Sequence, residues 1–460
     1  MASKVQFVAS IAASPTVRLD LDTGPWRTLK GSESPPPPLI RALTGTLLQA
    51  GQNVAADQHG NRVVRLALQL KAAAGTAATE MQKLHRELER PANFLLWQPD
   101  TDLPPVFFRT FRSSDYAPAL DWGIGLHEFT VDVLAEPYAL GLRQTLSSAV
   151  VAKDPAAGTN PCRFDVAAAS VIGDVPAPVM LTITSGTQLA AATCVLAQRS
   201  RGTPSAAPFL LQAEAMTQGT DTTTQANSTL MSGSGNNYSR CTFATEPAMD
   251  DRLTMTPFPA AASVDVRGLY RVFARTRQTS TGVVRYHLVV GSSTGPTITN
   301  PATSSLVTIT DLQTVVQFPS GVDPVHDGLT GVEIPAAGST LVLQAERVSG
   351  TDNLDVDCLL FMPADLRLAM VTYALSSTGS TVIDGSIPAV YQLDSSGNVI
   401  PPANEFFAVT SDLPVLVPAQ DNRIYFIQTV ETDALTTAPT TVTITPSYHP
   451  RYLQVRPVST

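Results

Sequence analysis

The chain has 460 residues, of which only 15% are charged, with 30 Lys and Arg against 39 Asp and Glu for a net charge of −9; charged residues usually make up about a quarter. No Lys/Arg-rich run gives a nucleic-acid footprint, no apolar run approaches the roughly 20 residues of a membrane-spanning helix, and 43% hydrophobic residues exclude a disordered chain. The 36 prolines and 28 glycines are scattered, which predicts many short, turn-bounded elements and a mainly β chain of several domains.

The N-terminal stretch is interrupted by Gln6 and Ser10 and runs into Arg18–Asp22, so it reads as folded chain rather than a secretory signal. Val17, Leu19 and Leu21 alternate with Arg18, Asp20 and Asp22, predicting a half-buried strand that ends at Gly24-Pro25. Ser32–Pro38 is a stiff, Pro-rich arm. Arg62–Lys71 alternates again, with Val64, Leu66, Leu68 and Leu70 on one face. The spacing of Met81, Leu84 and Leu88 predicts a helix over 76–90, capped by Thr76 and stopped by Pro91. Phe94–Trp97, a turn at Gln98–Asp100 and Val106–Arg112 predict a hairpin, and Leu126–Ala135 a further strand.

Beyond residue 140, Phe164–Val171 and Ala177–Gly186 read as two strands that need partners elsewhere, and 364–460 supplies about half a dozen more. These two stretches are expected to form one domain interrupted by an inserted one. The insert, 207–363, follows a polar Pro/Gly linker and carries the strands Phe209–Met216, Val264–Arg277 and Leu354–Pro363. Closing strands across a long insertion costs little, about 0.6 kcal/mol per doubling of length.

Two segments carry a family resemblance. In Asp412–Ile427, Pro414, Leu416, Pro418 and Asn422 match a P-x-L-x-P-G-x-N loop, with Ala419 where the pattern has Gly; in Thr445–Pro457, Tyr448, Pro450, Arg451, Tyr452 and Leu453 match a closing Y-x-P-R-Y-L strand. Both resemble the end of siphophage distal tail proteins, and the order of strands and one helix over 1–140 is similar to that family's ring-forming belt domain. The strand set of the insert looks like galactose-binding-like jelly rolls, common among carbohydrate-binding modules. The resemblance implies a mainly β fold: an N-terminal β-sandwich with one helix (1–140), a C-terminal β-sandwich (141–206 and 364–460) and an inserted jelly-roll β-sandwich (207–363). It implies a homo-hexameric hub in the virion tail tip, assembled in the host cytoplasm, partnered by the tail tube protein and by tail-associated proteins, and facing a host-surface glycan. The alternative is a glycan-binding adhesin or tail-fibre component. The resemblance leaves the residues of the ring interface unknown.

No G-x-S-x-G elbow, P-loop or H-E-x-x-H motif is present, so no catalytic residue, required cofactor or enzyme activity is expected. His59, His85, His127, His287, His326 and His449 are dispersed, and Cys162, Cys194, Cys241 and Cys358 lack a C-x-x-C pair; free, buried thiols are favoured over disulfides. Asp20 and Asp22 read as the polar face of a strand. By resemblance to calcium-containing jelly rolls, Glu214 with Asp355 or Asp357 would share a structural Ca²⁺, the competing reading being a hydrogen-bonded carboxylate at the rim. For a glycan, Tyr238 beside Asn236 and Asn237 is the candidate contact, against the commoner role of a packing anchor; Tyr270 and Tyr286 sit in apolar strands and are expected in the core.

Overall fold

Strand Arg62–Lys71 shows how the sequence pattern becomes structure: Val64, Leu66, Leu68 and Leu70 are buried and the residues between them face outward, because successive side chains leave a pleated strand on opposite faces. The structure is a computed structural model, which describes residues 3–45, 52–100, 102–113, 125–152, 163–185, 189–199, 209–226, 237–258, 268–278, 282–293, 298–303, 307–309, 314–317, 332–334, 339–351, 353–363, 366–375, 378–387, 389–405, 413–429 and 441–455. It is mainly β, with one α-helix among the described residues.

The N-terminal sheet runs in the order Val17–Asp20, Lys4–Val8, Asn93–Gln98, Val106–Thr110, Leu126–Ala135, Arg62–Lys71, Trp26–Thr28. Its two outermost strands are joined by Leu21–Pro25 alone. That link reaches at most about 20 Å, whereas seven strands laid flat span roughly 29 Å. The sheet therefore rolls over, so one sheet supplies both layers around Val5, Phe7, Trp97, Phe108, Val131 and their neighbours. Leu21 N donates to Val5 O and Thr28 Oγ1 to Leu21 O across the join. Asp22, expected only as polar surface, accepts from Val5 N at 2.7 Å and Thr28 N at 3.2 Å; burial raises its pKa despite these bonds.

Helix Ala74–Leu88 covers this core with Ala77, Met81, Leu84 and Leu88. It starts two residues before the expected Thr76, and Ala73 at its N-cap makes no side-chain cap. Burial of the apolar face outweighs a missing cap here. The helix stops before Pro91, whose ring cannot continue it.

The C-terminal sandwich packs an eight-stranded sheet, centred on Ala177–Thr184 and Thr441–Tyr448, against a four-stranded sheet of Arg163–Val166, Asn422–Thr429, Leu189–Arg199 and Leu366–Leu375. Its core draws on Leu181, Ile183, Leu196, Val371, Ile424 and Ile444 among others. The strand expected over 164–171 ends at Val166 and gives way to a one-turn 3₁₀ helix, Ala168–Ser170, because Asp421 Oδ1 accepts Ala168 N at 2.9 Å and turns the chain.

Strands Leu189–Arg199 and Leu366–Leu375 pair with Arg199 opposite Leu366, so the intervening residues leave and return side by side. Between them lie two further sheets, of seven and six strands, around a separate core that runs from Leu211 to Phe361 and includes Tyr270 and Tyr286, as expected. In strand Leu354–Pro363 the core residues change parity, from Leu354 and Val356 to Leu359 and Phe361. The cause is a bulge: Val356 pairs with Thr276 and Cys358 with Arg275, leaving Asp357 as the additional residue.

Candidate functional site

The closing segment does not stay within the C-terminal sandwich. Tyr448 and Ser447 pair with Gln144 and Thr145, then Arg451 and Tyr452 pair with Leu140 and Ala139 of the N-terminal sheet. Gly141 N donates to Pro450 O at 2.8 Å between the two pairings. One antiparallel ribbon thus runs from one unit into the other. On its far side Asp174 N donates to Arg451 O and Asp174 Oδ2 accepts Leu453 N at 2.9 Å. Gly173 has φ +124°, and a Cβ there would meet Arg451 O at 3.0 Å, so only glycine suits this approach.

Each residue of the closing motif has a defined task in this seam. The Tyr448 hydroxyl accepts from Ile172 N at 2.8 Å and donates to Ser170 O at 3.2 Å, anchoring the 3₁₀ turn. His449 donates from Nδ1 to Gly141 O at 3.0 Å, and burial lowers its pKa. Tyr452 packs against the N-terminal core. The Leu453 carbonyl accepts from Arg62 Nη2 at 2.8 Å.

Arg62 was not singled out from the sequence, and it organises the seam. It is fully buried, donates also to Pro137 O and Ser34 Oγ, and lies 5.3 Å from the Phe108 ring centre. Burial lowers its pKa to about 10. The signal was present: Arg62 shares the parity of Val64, Leu66, Leu68 and Leu70, which points it inward.

Beside the ribbon opens a cleft of about 640 Å³ between the two units. Arg109, Glu136 and Tyr138 line one wall, Met180 and Asp384 the other, with His449 and Arg451 between. Arg109 lies 3.3 Å from Glu136, and Asp384 accepts from Ser386 N and Oγ. The Arg451 guanidinium lies 5.2 Å from the Tyr138 ring centre.

The loop resembling P-x-L-x-P-G-x-N is closed by Asn422, which accepts from Val417 N and donates to Val417 O and Gln420 O. Gln198 holds the same loop through both the N–H and the carbonyl of Val415. Ala419 takes φ +60°, the left-handed conformation that explains glycine in the family pattern.

In the insert, one of the expected calcium ligands, Asp355, is already paired. Asp355 is fully buried and both carboxylate oxygens are taken by arginines: Arg240 Nε at 2.7 Å and Nη2 at 2.9 Å, and Arg277 Nε at 3.1 Å together with its Nη2. Arg240, Asp355 and Arg277 are direct neighbours across three strands. A carboxylate already matched by two guanidinium groups is a poor fit for Ca²⁺, which corrects the expectation for Asp355. Asp357 is the buried bulge residue, and Glu214 lies in the one-turn 3₁₀ helix Ala213–Ala215. Among the described residues no group of three His, Cys, Asp or Glu side chains could hold a metal ion.

Of the glycan candidates, the same kind of geometry bears on Tyr238 alone. Tyr238 is 5% exposed, with Arg240 and Arg277 at 5.6 and 5.9 Å from its ring centre, so it presents no open platform to a sugar. Asn237 is exposed, and Asn236 lies outside the described residues. Cys194, Cys241 and Cys358 are buried thiols, as favoured, and none of them joins a disulfide among the described residues; burial raises the Cys241 thiol to about 12. Cys162 lies outside the described residues. No helix among the described residues is long and apolar enough to cross a membrane.

No protein-family model and no curated protein matches the chain. Among solved structures it is similar to the SPP1 Dit protein, described as a paradigm of the hub adsorption apparatus in phages that infect Gram-positive bacteria. Identity is 10%, 97% of this chain and 99% of that chain are covered, and the TM-score is 0.33. It is also similar to the phage P2 baseplate in its activated conformation, with Ca (10% identity, 79% and 99% covered, TM-score 0.24) and with Sr (10%, 78% and 98%, 0.22). Likenesses this loose decide neither the detailed fold nor the role of this chain.

Proposed function

We propose that this chain is a structural protein of a phage tail tip, a distal tail hub that joins the tail tube to the host-recognition apparatus. The observation that carries this reading is the seam. Tyr448, Pro450, Arg451, Tyr452 and Leu453, the residues that resemble the family's closing strand, tie the N-terminal sheet to the C-terminal sandwich. A hub has to transmit force between a ring and its periphery, and a shared ribbon with a buried arginine makes the two units one stiff piece.

In this reading six copies close a ring through the N-terminal units, and the tail tube and tail-associated proteins bind its two sides. A closed ring of identical copies needs two different complementary faces on each subunit. The insert stands at the periphery, where its chain ends emerge together between Arg199 and Leu366. The task is assembly within the virion, and it calls on no catalytic group.

Cryo-electron microscopy of the particle that carries the chain tests the proposal. A six-fold ring at the distal end of the tail, with the insert outermost, is the expected result. Copies spread along side fibres, or absent from the particle, would sink the hub and make the adhesin the reading to pursue.

A further inference from the structure

The geometry points to a carboxylate-binding site in the cleft beside the seam, with the guanidinium of Arg451 as its anchor. The strand pairing of Arg451 uses only its backbone. Its side chain lies along the Tyr138 ring at 5.2 Å and lines the cleft. Among the described residues it has no hydrogen-bond acceptor and no carboxylate within ion-pair distance, although the residue is only partly exposed. Of the other charges of the cleft, Glu136 faces Arg109 at 3.3 Å, and Asp384 accepts two neutral bonds from Ser386 at Oδ1 alone. Among the described residues Arg451 is therefore the lining arginine of the cleft with no carboxylate in contact, Glu136 acting on it only from beyond ion-pair distance.

The cleft's size, about 640 Å³, is that of a small-ligand pocket, and a planar guanidinium backed by an aromatic ring receives a carboxylate through two parallel N–H donors. Single charge fits better than double, because Glu136 and Asp384 in the walls would repel a dianion. Apolar wall residues Ile11, Phe94, Met180 and Ile387, the last 53% exposed, would cover the ligand's stem. The ligand is accordingly a monocarboxylate on a compact apolar body, either an acidic side chain of another polypeptide or a free organic acid. This site does not depend on the tail-tip reading.

Isothermal titration of the full chain with N-acetyl-glutamate N-methylamide, with butyrate and with inorganic phosphate tests it. The glutamine analogue of the first compound and the Arg451→Gln variant serve as controls. Arg451→Gln keeps the backbone pairing, and an unchanged melting temperature certifies that the seam is intact. Arg451→Leu, which keeps the apolar stem, replaces it if Arg451→Gln does not fold. Saturable binding of a carboxylate, weakened about tenfold or more without the guanidinium, is expected, the size of losing a charged two-pronged hydrogen bond. Tighter binding of the glutamate compound assigns the carboxylate to a polypeptide, and tighter binding of butyrate to a free acid. Equal binding by the glutamine analogue or by the variant, preference for phosphate, or no saturable binding overturns the site.

Discussion

The guanidinium of Arg62 donates to the carbonyl of Leu453, 391 residues later in the chain, and this bond locks the N-terminal sheet to the closing segment. A buried arginine with three protein acceptors, one a hydroxyl and two backbone carbonyls, holds the joint from inside.

Removing that group should loosen both units together. Arg62→Ala is expected to lower the unfolding free energy by about 3–5 kcal/mol, since it leaves buried acceptors without donors and a hole beside Phe108. Urea unfolding followed by far-ultraviolet circular dichroism, which samples both units, reads this directly; a loss below about 0.5 kcal/mol, the scale of a surface change, would mean that Arg62 is not structural.

Ala419 lies in a left-handed turn that glycine occupies without strain. Ala419→Gly should stabilise the C-terminal sandwich by about 0.5–1 kcal/mol, the relief of a strained Cβ less the added freedom of the unfolded chain. Thermal melting decides it, and a lower melting temperature would refute the strain argument.

Asp355 neutralises Arg240 and Arg277. Asp355→Ala should cost about 3–5 kcal/mol because two guanidinium groups are left facing each other, while Asp355→Ala with both arginines changed to Met should recover much of that. Calorimetry of the full chain, read at the transition of the insert, separates the two; equal losses in both variants would show that the carboxylate serves something other than these cations.

His449 carries a pH dependence of definite sign. Burial lowers its folded pKa below the ordinary 6.5, so the unfolded chain binds the proton more readily. The resulting penalty is absent above about pH 6.5, the unfolded value, and grows as pH falls through that value toward the folded pKa. His449→Gln should flatten this part of the profile. Urea midpoints at pH 7.5 and 5.5 provide the check, and an unchanged slope in the variant would assign the dependence to other groups.

Because Arg199 stands opposite Leu366, residues 200–365 should be replaceable by a short Gly/Ser turn. Among the described residues, no core residue of the C-terminal sandwich comes from that stretch. The shortened chain is expected to remain soluble and unfold cooperatively; aggregation on expression would show that the insert supports the sandwich.

Local pattern made much of the fold legible. The alternation in Arg62–Lys71 and Leu126–Ala135, the helical spacing of Met81, Leu84 and Leu88, and the core positions of Tyr270 and Tyr286 all follow from side-chain period. The resemblance also marked Tyr448–Leu453, without showing what those residues touch. Misreadings arose where partners were distant: Asp355 reads as a free carboxylate until Arg240, 115 positions away, is brought beside it, and Tyr238 reads as a loop platform until both arginines cover it.

Which residues turn inward was legible from the chain alone, because that depends on the pleat and the helical turn, which repeat over a few residues. How the N-terminal sheet rolls, which groups neutralise Asp355 and where Arg62 finds its last acceptor emerged from the folded chain. Those outcomes depend on pairings between strands far apart in the chain, and no local period encodes a partner.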